Sequence, residues 1–124
     1  MDVVKHPGPD HPITLTEGQA RAEARFGGQV IAASDHVIWV KEGGYHAVAY
    51  FPRADVEMGL LKRTDHDTYC PYKGHASYFS LEAGGTTAEN AVWSYETPHP
   101  GMEALRDRLA FYSNIVEVQE AASA

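Results

Sequence analysis

Three glycine pairs divide the middle of this 124-residue chain and constrain its fold more than any other feature. They are Gly27-Gly28, Gly43-Gly44 and Gly84-Gly85. Glycine adopts positive φ angles without a steric penalty, and tight hairpin turns require such angles. Short runs that are rich in β-branched and aromatic residues, or that alternate apolar with charged residues, flank each pair. Such runs are typical of strands joined by turns. The pattern therefore predicts a mainly β protein built from antiparallel hairpins.

The predicted strands lie on either side of these turns, at residues 20–26, 30–33, 37–40, 47–51, 77–81 and 88–95. One alternative stays open, because Thr16 to Gln19 resembles a helix capping box and residues of high helix propensity follow it. The glycine pair after residues 20–26, and the β-type run beyond it, favour a strand there over a helix. A short final strand is expected over residues 115–118.

One helix is predicted near the C-terminal end, over residues 101–112. Pro98 and Pro100 precede it, and proline suits the start of a helix. Four apolar or aromatic residues then fall on one helical face, namely Met102, Leu105, Leu109 and Tyr112. The expected fold class is thus mainly antiparallel β with one C-terminal helix.

Length and composition indicate a single domain. A chain of 124 residues with 44% hydrophobic residues can bury a core without disulfides or a structural metal. Residues 1–19, which are rich in proline, histidine and glycine, are predicted to form an extended arm. Residues 20–119 are predicted to form the β-rich domain, and residues 120–124 a frayed tail.

Charge and cysteine content argue against several classes of protein. The formal net charge is −7 and no run of lysine or arginine occurs, so no nucleic-acid partner is expected. The first residues lack an apolar signal-peptide core and no apolar run approaches membrane-spanning length, so no membrane partner is expected. The single cysteine cannot form an internal disulfide, which favours a cytoplasmic location. Exposed strand edges would allow a homodimer.

Residues 64–74, Thr-Asp-His-Asp-Thr-Tyr-Cys-Pro-Tyr-Lys-Gly, form the densest group of reactive residue types. Such a run is not an ordinary amphipathic element, so we predict a shaped loop that displays a site. Cys70 is the candidate nucleophile or redox centre, because nearby positive charge favours the thiolate. His66 is the candidate base, since flanking carboxylates can orient an imidazole. The alternative role for Cys70 is that of a small buried hydrophobic residue.

The candidate ligand-binding residues are two cations, a flexible glycine and three aromatic residues: Arg53, Lys73, Gly74, Tyr69, Trp93 and Tyr95. The cations can engage a carboxylate or phosphate, and a glycine lets a ligand approach the backbone. Residues two apart share one face of a strand, so Trp93 and Tyr95 can wall a pocket for a flat ligand. The alternatives are an ion pair between Arg53 and a nearby acid, and simple packing of the aromatic rings.

Metal and cofactor sites are not predicted. One cysteine without a paired C-x-x-C motif cannot supply a zinc knuckle. Asp65, His66 and Asp67 are adjacent, so their side chains diverge and are poorly placed to converge on one ion. A turn-forming role for the two aspartates is favoured instead.

Four segments of the chain together resemble a known family. They are Phe51-Pro52-Arg53, residues 64–74, Ala76-Ser77-Tyr78 and residues 90–95, Asn-Ala-Val-Trp-Ser-Tyr. Through them the chain resembles domain-of-unknown-function family 427, a group of small bacterial, archaeal and fungal proteins. The resemblance implies compact, coiled antiparallel sheets, akin to the β-tent folds of methionine sulfoxide reductases and the cereblon ligand-binding domain. A nucleotidyltransferase-like label has been attached to the family, but this sequence has no glycine-rich phosphate loop.

Two hypotheses about function are compatible with the sequence. The first is a domain that binds a small acidic or planar molecule. In an extension of this function, the domain is an enzyme that uses Cys70. The second is a non-catalytic interaction or scaffold module in which residues 64–74 are structural. An open cleft bordered by Arg53, Tyr69, Lys73 and Trp93 would favour the first. Cations already neutralised by acids would favour the second.

Overall fold

The computed structural model describes residues 3–121. In this part of the chain ten strands form three antiparallel sheets, which confirms the predicted mainly β class. The strands are β1 (Ile13–Glu17), β2 (Ala22–Phe26), β3 (Gln29–Ser34), β4 (Ile38–Glu42), β5 (Val48–Tyr50), β6 (Leu61–Cys70), β7 (Gly74–Ala83), β8 (Thr86–Ser94), β9 (Ala110–Phe111) and β10 (Glu117–Glu120).

The first sheet has the strand order β1-β4-β5, the second β10-β2-β3 and the third β6-β7-β8-β9. Strands β2 and β3 form a hairpin in which Ala22 lies opposite Ser34. The preference for a strand over a helix at residues 20–26 is therefore confirmed. Short 3-10 turns at Arg53–Asp55 and Met58–Leu60 connect the first sheet to the third.

All three glycine pairs occupy turns between paired strands, as predicted. Two of these turns lie against each other. A Cβ atom added to Gly27 would overlap the carbonyl oxygen of Ala83, and one added to Gly84 would overlap the carbonyl oxygen of Gly27. Both glycines also have a φ of 61°. Only a residue without a side chain meets both requirements, so the turns hold the second and third sheets together at this point.

The predicted helix over residues 101–112 is wrong. The segment contains a 3-10 turn at Glu103–Leu105 and then β9, which pairs with β8. Gly101 and Asp107 have φ angles of 91° and 63°, and such left-handed residues interrupt a right-handed helix. Pairing with β8 and the turns satisfies the backbone groups that a helix would otherwise satisfy. Three residues of the predicted helical face are nevertheless buried: Met102, Leu105 and Leu109.

The predicted loop over residues 64–74 is wrong for most of its length. Residues 64–70 belong to β6, Gly74 begins β7, and residues 71–73 form the turn between them. Strand β6 is an edge strand with more than half of its residues exposed, so it tolerates charged side chains on both faces. A register irregularity between Arg63 and Asp67 bends the strand further.

Both ends of the described chain contribute strands. Strand β1 lies within the segment predicted to be an arm, and Lys5 adds a backbone hydrogen bond of 2.9 Å to the carbonyl of Pro71. The expected final strand appears as β10, two residues later than predicted, and pairs with β2. Of the predicted tail, Glu120 belongs to β10, while residues 122–124 lie outside the described residues. Among residues 3–121, no helical segment has the length and apolar character needed to cross a membrane.

Two buried clusters fill the space between the sheets. The larger is apolar and includes Ile31, Phe51, Leu81, Val92 and Leu109. The smaller lies between the first and third sheets and contains tyrosines as well as aliphatic residues. Since buried tyrosine hydroxyls need polar partners, this smaller cluster is where the core meets a polar surface.

Candidate functional site

A cavity of about 340 Å³ opens beside the smaller cluster, within the range of roughly 300–1,000 Å³ that is typical of ligand pockets. Strands β4 and β5 line one side of it, and β7 and β8 line the other. Its polar residues include Glu42, His46 and Lys73. Six aromatic side chains also line it: Tyr45, Tyr50, Tyr78, Trp93, Tyr95 and Tyr112.

Strand alternation explains why these side chains converge. Trp93 lies opposite Tyr78 in the β7–β8 ladder, so both project from one face of the third sheet. Tyr95 follows Trp93 by two residues and shares that face. Tyr50 approaches from the first sheet, and its ring centroid lies 6.2 Å from that of Trp93 and 6.3 Å from that of Tyr95. The cavity wall is therefore built where two sheet faces meet.

Hydrogen bonds fix the orientation of the aromatic rings. The indole Nε1 of Trp93 donates to the hydroxyl of Tyr50 at 3.1 Å. The hydroxyl of Tyr78 lies 3.2 Å from the hydroxyl of Tyr112 and 3.0 Å from Oγ1 of Thr68. Because each bond restricts a side chain before any ligand arrives, the wall is preorganised.

Three of the cavity tyrosines, Tyr50, Tyr95 and Tyr112, stay neutral at physiological pH. Burial raises the pKa of Tyr50 and of Tyr95 well above the usual value of 10.0. Burial also raises the pKa of Tyr112 to about 12, and its hydrogen bond with Tyr78 acts in the same direction. Neutral hydroxyls both donate and accept hydrogen bonds, so these residues can bind either a hydrogen-bond donor or a hydrogen-bond acceptor on a ligand.

A largely buried ion pair forms the polar wall. The Nζ atom of Lys73 lies 2.6 Å from Oε1 of Glu42, and Lys73 is only 8% exposed. The other carboxylate oxygen of Glu42 lies 2.7 Å from Nε2 of His11. Burial pushes the pKa of Glu42 up, but the hydrogen bonds from Lys73 and His11 outweigh it, so the pKa is lowered. Glu42 is therefore ionised at neutral pH.

Three of the predicted ligand-binding residues line this cavity: Lys73, Trp93 and Tyr95. Gly74 follows Lys73 in sequence, but its backbone packs against the irregular segment that follows β8. A Cβ atom added there would lie 3.2 Å from the carbonyl oxygen of Thr97, and the φ angle is 116°. Gly74 is thus needed for the turn into β7.

Arg53 lies in a different cluster. It donates to the backbone carbonyl of Asp107 at 2.8 Å, to Oγ of Ser94 at 3.0 Å and to Oε2 of Glu96 at 3.2 Å. Arg63 reaches the same carboxylate at 2.5 Å, and its hydrogen bond is the main reason that the pKa of Glu96 is lowered. Arg53 therefore joins the 3-10 turn to the end of β8, with its charge paired.

The remaining predicted residues also lie outside the cavity lining. The hydroxyl of Tyr69 donates to the carbonyl of Val3 at 2.5 Å and lies 2.9 Å from Nε2 of His99. His66 is exposed, with its ring centroid 4.5 Å from that of Tyr78. Cys70 is half-buried and packs against the smaller cluster. Among the described residues, no group of three or more metal-ligating side chains is close enough to hold an ion.

Sequence analysis missed Glu42, Tyr50 and Tyr112 as site residues. An acid just before a glycine pair carries no distinctive signal, so Glu42 could not be selected. Tyr50 lies within the strand predicted over residues 47–51, and its contact with the Trp93 face depends on how two sheets pack. Tyr112 was placed on a helix that does not form, and only the correct strand assignment would have brought it to the cavity.

Comparison with known proteins gives a single family. The profile of a family described as Domain of unknown function (DUF427) matches residues 14–122. A search of curated proteins found no match. The match covers β2 to β10, all of β1 except Ile13, and every residue that lines the cavity.

Proposed function

The chain belongs to the family described as Domain of unknown function (DUF427), and from this premise we propose that it binds a small planar acid in the aromatic cavity. The ring of the ligand stacks against Trp93 and Tyr95, and its carboxylate accepts hydrogen bonds from Lys73. The observation that carries the proposal is a nearly buried lysine, Lys73, on the wall of an aromatic cavity of about 340 Å³.

Lys73 supports the acidic part of this ligand. An ammonium group has three N–H donors, and Glu42 accepts from one of them. A carboxylate arriving from the cavity can accept from another, and such charge-assisted bonds are among the strongest in proteins. Glu42 already balances the charge of Lys73, so a second negative charge on the ligand would add little further attraction. The pair thus favours a singly charged acid over a phosphate or another multiply charged anion.

The aromatic residues support the planar part. Aromatic rings stack offset or edge-to-face at centroid distances of about 4.5–7 Å. Tyr50 and Trp93 already adopt an edge-to-face arrangement with an interplanar angle of 86°. A flat ring entering the cavity meets aromatic faces and edges that hydrogen bonds already hold in place. Binding therefore costs the side chains of the cavity wall little conformational entropy.

The test measures the affinity of benzoate and of benzamide, which has nearly the same shape without the charge. Calorimetry and Trp fluorescence are followed for the wild type, for Lys73→Met and for Lys62→Met, an exposed lysine that matches the substitution. We expect benzoate to bind about tenfold or more tightly than benzamide in the wild type and in Lys62→Met. The preference should vanish in Lys73→Met.

Two outcomes would contradict the proposal. One is the absence of saturable binding for benzoate, nicotinate and indole-3-carboxylate alike. The other is an unchanged preference for benzoate in Lys73→Met that is still folded by circular dichroism. Tighter binding of benzyltrimethylammonium than of benzoate would instead assign the cavity to cations, with Glu42 as the charged partner.

A second candidate function is the non-catalytic scaffold module. It is supported by the pairing of both predicted cations, Arg53 with Glu96 and Lys73 with Glu42. In that case Lys73→Met would lower stability while no small aromatic acid bound either protein. The same experiment therefore separates the two candidates.

A catalytic extension would use Cys70 as nucleophile and His66 as base. Both lie on β6, which pairs with the strand that carries Tyr78, and the ring of His66 packs against that of Tyr78. Neither residue lines the cavity, so a ligand there would have to extend beyond the lining to reach them. Loss of turnover of a bound acid in Cys70→Ala, with its binding retained, would support this extension. The proposal also includes a β-tent-like arrangement of the sheets and a cytoplasmic location, which an experimental structure and cell fractionation respectively would test.

A further inference from the structure

A second cavity, of about 400 Å³, adjoins the first. The two share four lining residues: His46, Val48, Trp93 and Tyr112. Because these four residues line both spaces, the cavities are adjacent. Trp39 and Ala49 lie on the opposite face of the first sheet from Val40 and Tyr50, so the cavities meet around the edge strand β5. The second cavity is completed by Trp39, Ala47, Ala49, Phe111, Ser113 and Val118.

The two cavities differ in charge. The first contains the ion pair between Lys73 and Glu42. Among the described residues, no lysine, arginine, aspartate or glutamate lines the second. Together they present a charged end and an apolar end, which is the pattern expected for a molecule with a polar head and an apolar tail.

We infer that the two cavities form one site for an elongated amphipathic acid, which is a planar acid extended by an apolar chain. The inference rests on the proposed function, since the planar acid occupies the first cavity beside Lys73. The apolar chain of this ligand passes over Trp93 and Tyr112 and fills the second cavity. This assigns a ligand class that a single small cavity does not require.

The boundary between the cavities is suited to such a passage. The ring centroids of Trp93 and Tyr112 are 4.7 Å apart, with an interplanar angle of 48°. The indole nitrogen of Trp93 is already bonded to Tyr50, so the indole presents its carbon face at this boundary without an unmet polar atom. Tyr112 is 38% exposed, and an apolar chain lying across it would cover this surface.

The length of the ligand's apolar chain should then determine its affinity for the protein. Each methylene moved from water to an apolar surface strengthens binding by up to about fourfold. The gain should continue while the chain fills the second cavity and stop when the chain reaches solvent. A ligand confined to the first cavity would show no such dependence.

The experiment measures dissociation constants by calorimetry for benzoate and the 4-alkoxybenzoates from methoxy to hexyloxy. In the wild type we expect a two- to fourfold gain per added methylene over at least three successive members. Ala47→Phe and, separately, Ser113→Phe place a ring at exposed positions that line only the second cavity. In both variants the gain per methylene should fall close to zero. Ala104→Phe, at an exposed alanine that lines neither cavity, should keep the wild-type dependence.

The outcomes separate this inference from the proposed function. If benzoate binds through Lys73 but the longer acids bind no more tightly, the inference is overturned and the proposed function stands. If the gain per methylene is the same in both folded phenylalanine variants as in the wild type, the chain lies elsewhere and the inference is again overturned. If benzoate, nicotinate and indole-3-carboxylate all fail to bind and the 4-alkoxybenzoates do not bind either, both proposals fail together.

Discussion

Replacing Lys73 with methionine removes one partner of the ion pair, and we expect the free energy of unfolding at pH 7 to fall by about 2 kcal/mol. Methionine preserves much of the apolar stem, so the effect comes mainly from the charge that remains on Glu42. The change should lower the melting temperature by about 8 °C for a domain of this size. Lys62→Met, at an exposed position, should change it little.

The magnitude follows from the environment of the pair. Removing one partner of a fully buried pair costs about 3–5 kcal/mol, whereas an exposed pair is worth about 0–1 kcal/mol. The side chain of Lys73 is 10% exposed and that of Glu42 is 22% exposed. Glu42 also keeps its contact with His11 at 2.7 Å, so part of its charge stays compensated. A value between the two limits is therefore expected.

The cost should depend on pH in a defined direction. In the wild type the pKa of Glu42 is lowered from 4.5, so the pair stabilises the fold above that pH and is lost as the pH falls through the lowered value. Without Lys73, burial raises the pKa of Glu42 and protonation relieves the unpaired charge. The destabilisation of the variant relative to the wild type should thus be greatest at pH 7 and smaller at pH 3, below the ordinary carboxyl pKa of 4.5.

Urea unfolding followed by circular dichroism at both pH values measures this difference. The double variant Glu42→Gln, Lys73→Met should recover more than half of the loss at pH 7, because no unpaired charge remains. A destabilisation by Lys73→Met that is equal at pH 3 and pH 7, or no larger than that of Lys62→Met, would refute the reasoning.

Three further measurements test other features. Gly27→Ala should cost more than about 2 kcal/mol and Gly28→Ala about 1 kcal/mol, because only the first meets the backbone of Ala83; equal costs would contradict the contact between turns. Since the pKa of Tyr112 is raised to about 12, stability should fall as pH rises above 10, and Tyr112→Phe should weaken that fall; a pH-independent stability there would contradict it. Cys70, half-buried against the smaller cluster, should react with iodoacetamide much more slowly in the folded protein than in urea, whereas equal rates would show that it is not protected.

Local signals account for what the sequence predicted correctly. The glycine pairs act within a few residues, so the hairpins around Gly27-Gly28 and Gly84-Gly85 could be predicted without tertiary information. The apolar spacing at Met102, Leu105 and Leu109 was interpreted as a helix. Burial of these residues was correct, but successive turns rather than helical periodicity bring them to the core.

Long-range packing accounts for what the sequence did not predict. Residues 64–70 form a strand only because β7 pairs with them, and an edge position lets their polar side chains remain in water. For the site, alternation placed Trp93 and Tyr95 on one face. Whether Arg53 reaches that face depends on the end of β8, where Glu96 binds it instead.

The pairing of β10 with β2 has a consequence for synthesis of the chain. Residues 117–120 complete a sheet whose other strands are made nearly one hundred residues earlier, with Glu117 opposite Arg25. The N-terminal hairpin therefore emerges from the ribosome with one edge of β2 unpaired, and that edge stays open to incorrect partners until β10 follows. The β2–β3 hairpin can form during synthesis, but the second sheet is completed only after residues 117–120 are made.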